Sequence, residues 1–425
     1  MSTTSPLQRL INTVLQPLRT MRAVIRFGKF ETNPVERRLA RVSSFDDYRR
    51  IAKRRLPGGV FDYIDGGAED ERTLSANRRA FADTAFVPRV LCGIEKVDTT
   101  STVLGAPLAF PLILAPTGFT RIADPQGELA VARAAQRVGL PYTLSTLGTR
   151  SIEEVRSVNS DRLWFQVYAW RDRSLVKDMV DRAAAAGYEA LTLTVDTAVL
   201  GKRERDVRRG FSLPPSIGPG TIIDGIVHPG WTLDFLRNEP IRFANITGSS
   251  VGDGATPISL SSFVSEQYEP ALSWDDIDWL CSIWKGKVLV KGIQSVADAV
   301  IAADKGVDGV ILSNHGGRQL DGSPATFALV APVADAIGGR TEIICDGGIR
   351  RGSDIVKAVA AGATACMAGR AYLYALGAGG ERGVERLLRS LHDDMQRTMI
   401  LIGARDIASL DRSYLASLPA LENLR

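Results

Sequence analysis

From residue 110 onward, short apolar runs alternate with stretches in which apolar residues recur at helical spacing. The runs are Pro111–Ala115, Pro141–Ser145, Leu163–Val167, Ala190–Val195, Lys287–Val290, Gly309–Leu312, Glu342–Cys345 and Ala365–Ala368. Between them lie amphipathic stretches such as Gln126–Val138, Ser174–Ala186, Val296–Asp304 and Ser353–Ala360. Runs that are apolar throughout suit strands buried on both faces, and their alternation with helices suits a parallel sheet. Eight such units predict an α/β fold of the (β/α)8 TIM-barrel type. The spacing breaks once. Residues 199–272, rich in Pro, Gly and Ser, separate the fourth run from the helix-like Trp274–Trp284. A stretch this long reads as an insertion, placed here on the catalytic face. The domain reading is an N-terminal extension over 1–40 and a barrel over 41–425.

A barrel enzyme gathers its chemistry at the C-terminal ends of its strands. Here those ends read Pro116-Thr117-Gly118, Ser145-Thr146, Gln166 and Tyr168, Thr194 and Asp196, Lys291, Ser313 to Arg318, Asp346-Gly347-Gly348, and Gly369-Arg370. Nearly every one offers a polar group after an apolar run. The densest is Ser313–Gly322, where His315 and Arg318 share a turn loosened by Gly316 and Gly317. An imidazole there can take a proton while the guanidinium holds a carboxylate in a bidentate fork. A solvated surface turn is the plain alternative, although the chain has only three histidines. After the seventh and eighth runs, Asp346 to Arg350 and Gly369-Arg370 suit a phosphate, which barrels often bind between those loops. No G-x-G-x-x-G follows a strand, so a Rossmann dinucleotide site has no support.

Composition adds bounds rather than chemistry. With 45% hydrophobic and 24% charged residues, this is an ordinary globular chain with ample core. No apolar stretch approaches the roughly 18 to 20 residues of a membrane-spanning helix. Cys92, Cys281, Cys345 and Cys366 lie far apart and form no metal-ligand spacing; Cys345 and Cys366 read as buried thiols. No metal is expected. No secretory signal is evident, so a cytoplasmic setting is expected. The net charge of +4 is concentrated in residues 1–30, which hold Arg9, Arg19, Arg22, Arg26 and Lys29 and no acid. The remainder is close to neutral and carries no nucleic-acid footprint.

Several motifs in order resemble the FMN-dependent 2-hydroxy-acid dehydrogenases and oxidases, from about Phe45 to Leu410. They are F-D-Y-I-D-G-G-A-E-D-E at 61–71, A-P-T-G-F at 115–119, L-T-V-D-T at 193–197, L-V-K-G-I at 289–293, S-N-H-G-G-R-Q-L-D at 313–321 and D-G-G-I-R-R-G-S-D at 346–354. The resemblance implies FMN as cofactor, a small 2-hydroxy acid as substrate and a homotetramer. It implies His315 as the base and Asp196 as the partner that stabilises its imidazolium. Arg203 and Arg318 would clamp the substrate carboxylate, with Tyr63 and Tyr168 bonding its oxygens. Lys291 would lie near the flavin edge where negative charge accumulates. Flavin contacts would come from Pro116, Thr117, Gly118, Ser145, Gln166, Thr194 and Ser313. The phosphate would sit with Asp346, Gly347, Gly348, Arg350, Gly369 and Arg370. Judged without the family, Tyr63 and Tyr168 read as buried tyrosines, Arg203 as part of a solvated charged loop and Asp196 as a turn cap.

The electron acceptor is a separate question. Oxidases of this family typically carry alanine where this chain has Gly118, and mandelate-dehydrogenase-like members carry glycine. Gly118 therefore leans toward a dehydrogenase. Leu147 stands where glycolate oxidase has a bulky tryptophan, so the pocket wall differs. In residues 7–28, Leu7, Leu10, Ile11, Val14, Leu15, Leu18, Met21 and Ile25 recur at helical spacing among arginines, with Pro17 as an expected kink. Such a segment suits a membrane surface, where a quinone is at hand; an arm packed on the barrel is the alternative. The expected reaction is L-lactate oxidation with quinone as acceptor. Oxygen as acceptor, or mandelate or a peptide-derived substrate, stays open.

Overall fold

In the computed structural model, residues 31–209, 218–246 and 266–417 are described. The chain divides into two compact units, Met1–Arg41 and Val42–Arg425. In the first, a short helix Pro34–Leu39 is capped by Asn33, whose side chain accepts from the Val35 and Glu36 amides. The amphipathic reading of residues 7–28 lies outside the described residues.

The second unit holds a closed barrel of eight parallel strands. They are β1 (Leu112–Leu114), β2 (Tyr142–Ser145), β3 (Leu163–Tyr168), β4 (Ala190–Thr194), β5 (Lys287–Ile293), β6 (Gly309–Leu312), β7 (Glu342–Asp346) and β8 (Ala365–Ala368). Strands pair in chain order, and β8 closes on β1 through Cys366↔Leu112 and Ala368↔Leu114. The connections hold helices α1 (Gly127–Val138), α2 (Ile152–Val158), α3 (Arg173–Ala185), α4 (Asp275–Ile283), α5 (Val296–Asp304), α6 (Thr326–Ile337) and α7 (Gly352–Ala361), with further helices in the fourth connection. After β8 comes α8 (Arg370–Ile402), broken by the non-helical Gly379 and Gly380. Local sequence explains several ends: Ser151 and Glu154 form a capping box on α2, and Gly139 ends α1 in the left-handed conformation. Helix α6 carries Pro332 inside it, which blurs its periodicity in the sequence.

Inside the barrel, Ile113, Trp164, Ala190, Leu289, Ile311, Ile344 and Ala365 form one buried cluster. Val103 and Leu108, from an antiparallel pair Ser101–Val103 and Ala106–Leu108, join it. Cys345 and Cys366 are buried in the strands, as their apolar surroundings predict. Helices Phe45–Arg55, Gly58–Asp65 and Arg72–Ala82 precede the barrel. The expected insertion contains helices Glu204–Arg208, Pro219–Val227 and Pro229–Arg237. Its described parts are tethered: Trp231 Nε1 donates to the Ile122 carbonyl at 2.7 Å, and Arg121 Nη2 to that of Glu239 at 2.7 Å.

Candidate active site

The C-terminal strand ends surround a cavity of about 560 Å³. Eighteen of the residues expected at the site line it: Tyr63, Pro116, Thr117, Gly118, Ser145, Gln166, Tyr168, Thr194, Arg203, Lys291, His315, Arg318, Asp346, Gly347, Gly348, Arg350, Gly369 and Arg370. Asp196 and Ser313 are not part of this lining but hydrogen-bond residues that are.

His315 leaves β6 with φ of +56°, in the left-handed region, followed by Gly316 and Gly317 at +64° and +73°. A non-glycine residue there is strained, and such strain concentrates at functional sites. The turn aims the imidazole at Asp196, whose Oδ1 lies 2.9 Å from His315 Nδ1. Close approach of Asp196 also needs Gly292: a Cβ there would lie 2.8 Å from the Asp196 backbone N. A register shift between Lys291 and Ile293 on β5 accompanies this contact. Burial would push the Asp196 carboxyl up, but His315 and Lys291 hold it below the usual carboxylate range. Burial holds the imidazole below its ordinary value, against the pull of Asp196. At rest the pair is therefore a carboxylate beside a neutral imidazole. With Nδ1–H donated to Asp196, the other ring nitrogen is free to take a proton.

Lys291, at the end of β5, donates to Ser313 Oγ at 2.9 Å and pairs with Asp346 Oδ2 at 3.1 Å. Ser313 Oγ in turn donates to Asp346 at 2.7 Å. Burial lowers the ammonium's pKa, but Asp346 and Asp196 outweigh it and keep the charge. Ser313 Oγ thus bridges Lys291 and Asp346. On β3, Gln166 Oε1 accepts from Ser145 Oγ at 3.0 Å, while its buried Nε2 has no partner among the described residues. Tyr168 packs edge-on against Tyr268 at 5.4 Å, and burial raises its phenol well above the ordinary value.

Two guanidiniums converge on one ring. Arg318 lies 4.9 Å and Arg203 5.9 Å from the Tyr63 centroid. Arg318 Nη1 donates to the Tyr63 and Gly66 carbonyls, and the buried Nε of Arg203 has no partner among the described residues. Arg370 is tied to three carbonyls, of Ile64, Gly316 and Gly66. It therefore brings fixed charge, with only part of its donor set free. Arg350 lies over Phe45 at 4.1 Å and pairs with Asp46 at 2.9 Å.

The sequence reading missed one layer. Asp65 accepts two bonds from Arg49, at 2.5 and 2.7 Å, one from Arg205 at 2.9 Å and one from Tyr374 at 2.6 Å. Arg205 also bonds Glu71. This knot fixes helix Gly58–Asp65 to the start of the insertion. Arg205 lies in the charged run beside Arg203, and nothing in its spacing separates it from a solvated residue. Phe243 and Tyr268 line the cavity from within the insertion, where no periodicity marks them. Leu147 lines it too. A Cβ on Gly118 would lie 3.0 Å from Leu147 Cβ and 3.3 Å from its carbonyl oxygen, so the bare glycine and the leucine fit each other.

These residues fit FMN. The unpartnered Gln166 amide and the buried Lys291 cation suit the polar edge of a flavin. Gly347 and Gly348, with φ of +109° and +86°, sit beside Arg350 and Arg370 and suit a phosphate. A parallel barrel with this cavity, a histidine–aspartate pair and two arginines over one tyrosine ring suits a flavin-dependent oxidoreductase acting on small carboxylic acids. The chain belongs to the FMN-dependent dehydrogenase family, whose sequence profile matches residues 52–417. It is 40% identical over 376 residues to the L-lactate dehydrogenase of Caulobacter vibrioides, covering 88% of this chain and 98% of that one. It is 40% identical over 378 residues to the glycolate oxidase of Spinacia oleracea, covering 88% and 96%. The crystal structure of the monotopic membrane protein (S)-mandelate dehydrogenase superposes with a TM-score of 0.85 at 40% identity, covering 89% of this chain and all of that one. The protein oxidises a 2-hydroxy acid with FMN.

Proposed function

We propose that the chain oxidises L-lactate to pyruvate and passes the electrons to a quinone. The observation that carries the chemistry is the His315–Asp196 pair facing the same cavity as Arg203 and Arg318. The guanidiniums hold the carboxylate and so fix the substrate's carbon next to the base. Tyr63 and Tyr168 bond its oxygens. Neutral His315 takes the proton, and Asp196 stabilises the imidazolium that results. FMN held there would supply the acceptor for the substrate's two electrons, and the Lys291 ammonium would favour the negative charge they bring. Leu147, Leu200 and Phe243 give the cavity an apolar side for the substrate's substituent. The Caulobacter relative supports lactate. The mandelate dehydrogenase structure, with this apolar side, favours an aromatic hydroxy acid as the second reading.

Gly118 supports a dehydrogenase over an oxidase. With anaerobic enzyme, L-lactate should bleach the flavin and a quinone analogue should restore its colour, both faster than with mandelate. Peroxide formed in air as fast as the quinone is reduced would sink the acceptor assignment. Faster bleaching by mandelate would move the substrate to the second reading.

Membrane-surface contact fits a lipid-soluble acceptor, and no helix among the described residues is long and apolar enough to cross a membrane. The described surface points to a site besides residues 1–30. Helices Pro219–Val227 and Pro229–Arg237 expose Ile222, Ile223, Ile226, Val227, Leu233 and Leu236. Exposed Arg237 and Arg242 lie beside them together with exposed Asp234 and Glu239, so it is the apolar side chains that suit a lipid surface. Exchanging Ile223 and Ile226 for asparagine should lower the fraction sedimenting with phosphatidylglycerol vesicles, with dye-linked turnover unchanged. An unaltered bound fraction would count against this face.

A further inference from the structure

The cavity's charges are not all matched. Among its carboxylates, Asp65 is taken by Arg49 and Arg205, Glu71 by Arg205, and Asp346 by Lys291. Asp206 also lines the cavity, from helix Glu204–Arg208, and makes no ion pair within 4.0 Å among the described residues. It shares the cavity with Arg203 and Arg318, the two guanidiniums gathered over the Tyr63 ring. Their charges reach it without direct contact. Burial raises its carboxyl, against the pull of Arg318 and Arg203. Arg318, pressed down by burial and by Arg203, is in turn supported by Asp206.

We propose that Asp206 is the counter-charge of the carboxylate clamp, a positioning residue that weakens the hold of Arg203 and Arg318 on an anion so that the product leaves. The proposal rests on the reading of those arginines as the clamp. Hydroxy-acid substrate and keto-acid product carry the same carboxylate. Two unopposed guanidiniums would hold both with equal strength, and such uniform binding does nothing for turnover once substrate is plentiful. A fixed carboxylate lining the same cavity lowers that shared affinity without touching the groups that differ in the transition state. The competing role is local: an acid in the first turn of Glu204–Arg208 stabilises that helix through its dipole. A purely local role predicts no gain in anion affinity when the charge is removed.

The test is oxalate, a non-reacting dicarboxylate, titrated into FMN-loaded enzyme and followed by the flavin absorbance. Asp206→Asn should bind oxalate about tenfold more tightly, corresponding to about 1.4 kcal/mol. KM for the hydroxy acid should fall while kcat does not rise. Unchanged or weaker oxalate binding in Asp206→Asn overturns the proposal. Should that variant load less FMN, Asp206→Glu carries the test: it keeps the charge, so its affinity must stay at the wild-type value, and tighter binding overturns the proposal. Arg203→Met, titrated in parallel, separates the premises. Weakened binding there supports the clamp and leaves Asp206 to be judged by its own variants. Unchanged binding there overturns the clamp reading and this proposal with it.

Discussion

Replacing His315 with glutamine is expected to lower kcat about ten-thousandfold, the upper range for a lost general base. Glutamine keeps a polar side chain in the turn, and the FMN contacts described above do not run through the imidazole. Visible absorbance should therefore show a full complement of flavin. Asp196 would lose its partner, but its charge would still be balanced in part by Lys291. The wild-type pH profile supplies a second reading of the same group. Only neutral histidine can take a proton, so kcat/KM falls as pH drops through the pKa of His315 in the free enzyme. Burial sets that pKa below the ordinary 6.5, so the acid limb should lie below about pH 6.5 and be missing from the glutamine variant. A variant retaining more than a tenth of wild-type turnover would remove His315 from the reaction.

The second large effect is on stability. Asp65→Ala removes the acceptor shared by Arg49, Arg205 and Tyr374, leaving two cations and a phenol without it. Breaking a buried pair costs about 3–5 kcal/mol. Because both arginines are about one third exposed, the lower end, about 3 kcal/mol, is expected. Urea unfolding of the FMN-free protein measures it, and Asp65→Asn should lose less because it keeps the shape and one acceptor. The sign with pH follows from the carboxyl. Burial would raise it, but Arg49, Tyr374 and Arg205 hold it down to about 2 from 3.8. A depressed carboxyl stabilises the fold above its unfolded value and ceases to as pH falls. The contribution, about 2 kcal/mol, is thus complete above pH 5 and lost between about pH 4 and 2. An unfolding midpoint for Asp65→Ala within error of wild type would show that the knot is not structural.

The barrel and most of the site were legible because both are written locally. Eight apolar runs mark strands buried on both faces, and the polar residue after each run marks the rim. Boundaries moved by little: the third run gained Tyr168, and the fifth continued through Lys291 to Ile293. That last extension matters, since it puts Lys291 and Gly292 inside a strand with a register shift. Asp196 stood out only through the family resemblance, its plain reading being a turn cap; its contact with His315 spans 119 positions of chain and needed the closed barrel to appear. What stayed hidden was set by tertiary contact alone. Asp65 and Arg205 look like ordinary surface charges, and Tyr268 and Phe243 come from a stretch without period. The helices before the barrel carried no strand–helix alternation to announce them.

The buried charges around Lys291 have a consequence for timing. At rest, one ammonium sits among two carboxylates, Asp346 and Asp196, beside a neutral imidazole. This group carries one negative charge too many, in surroundings that penalise any net charge. It becomes neutral only when His315 has gained a proton. Yet burial, Lys291 and Arg203 all work against a charged imidazole and outweigh Asp196, so solvent does not supply that proton at rest. The imidazole therefore waits neutral for the substrate's proton, and Asp196 stabilises the charge only once it has arrived.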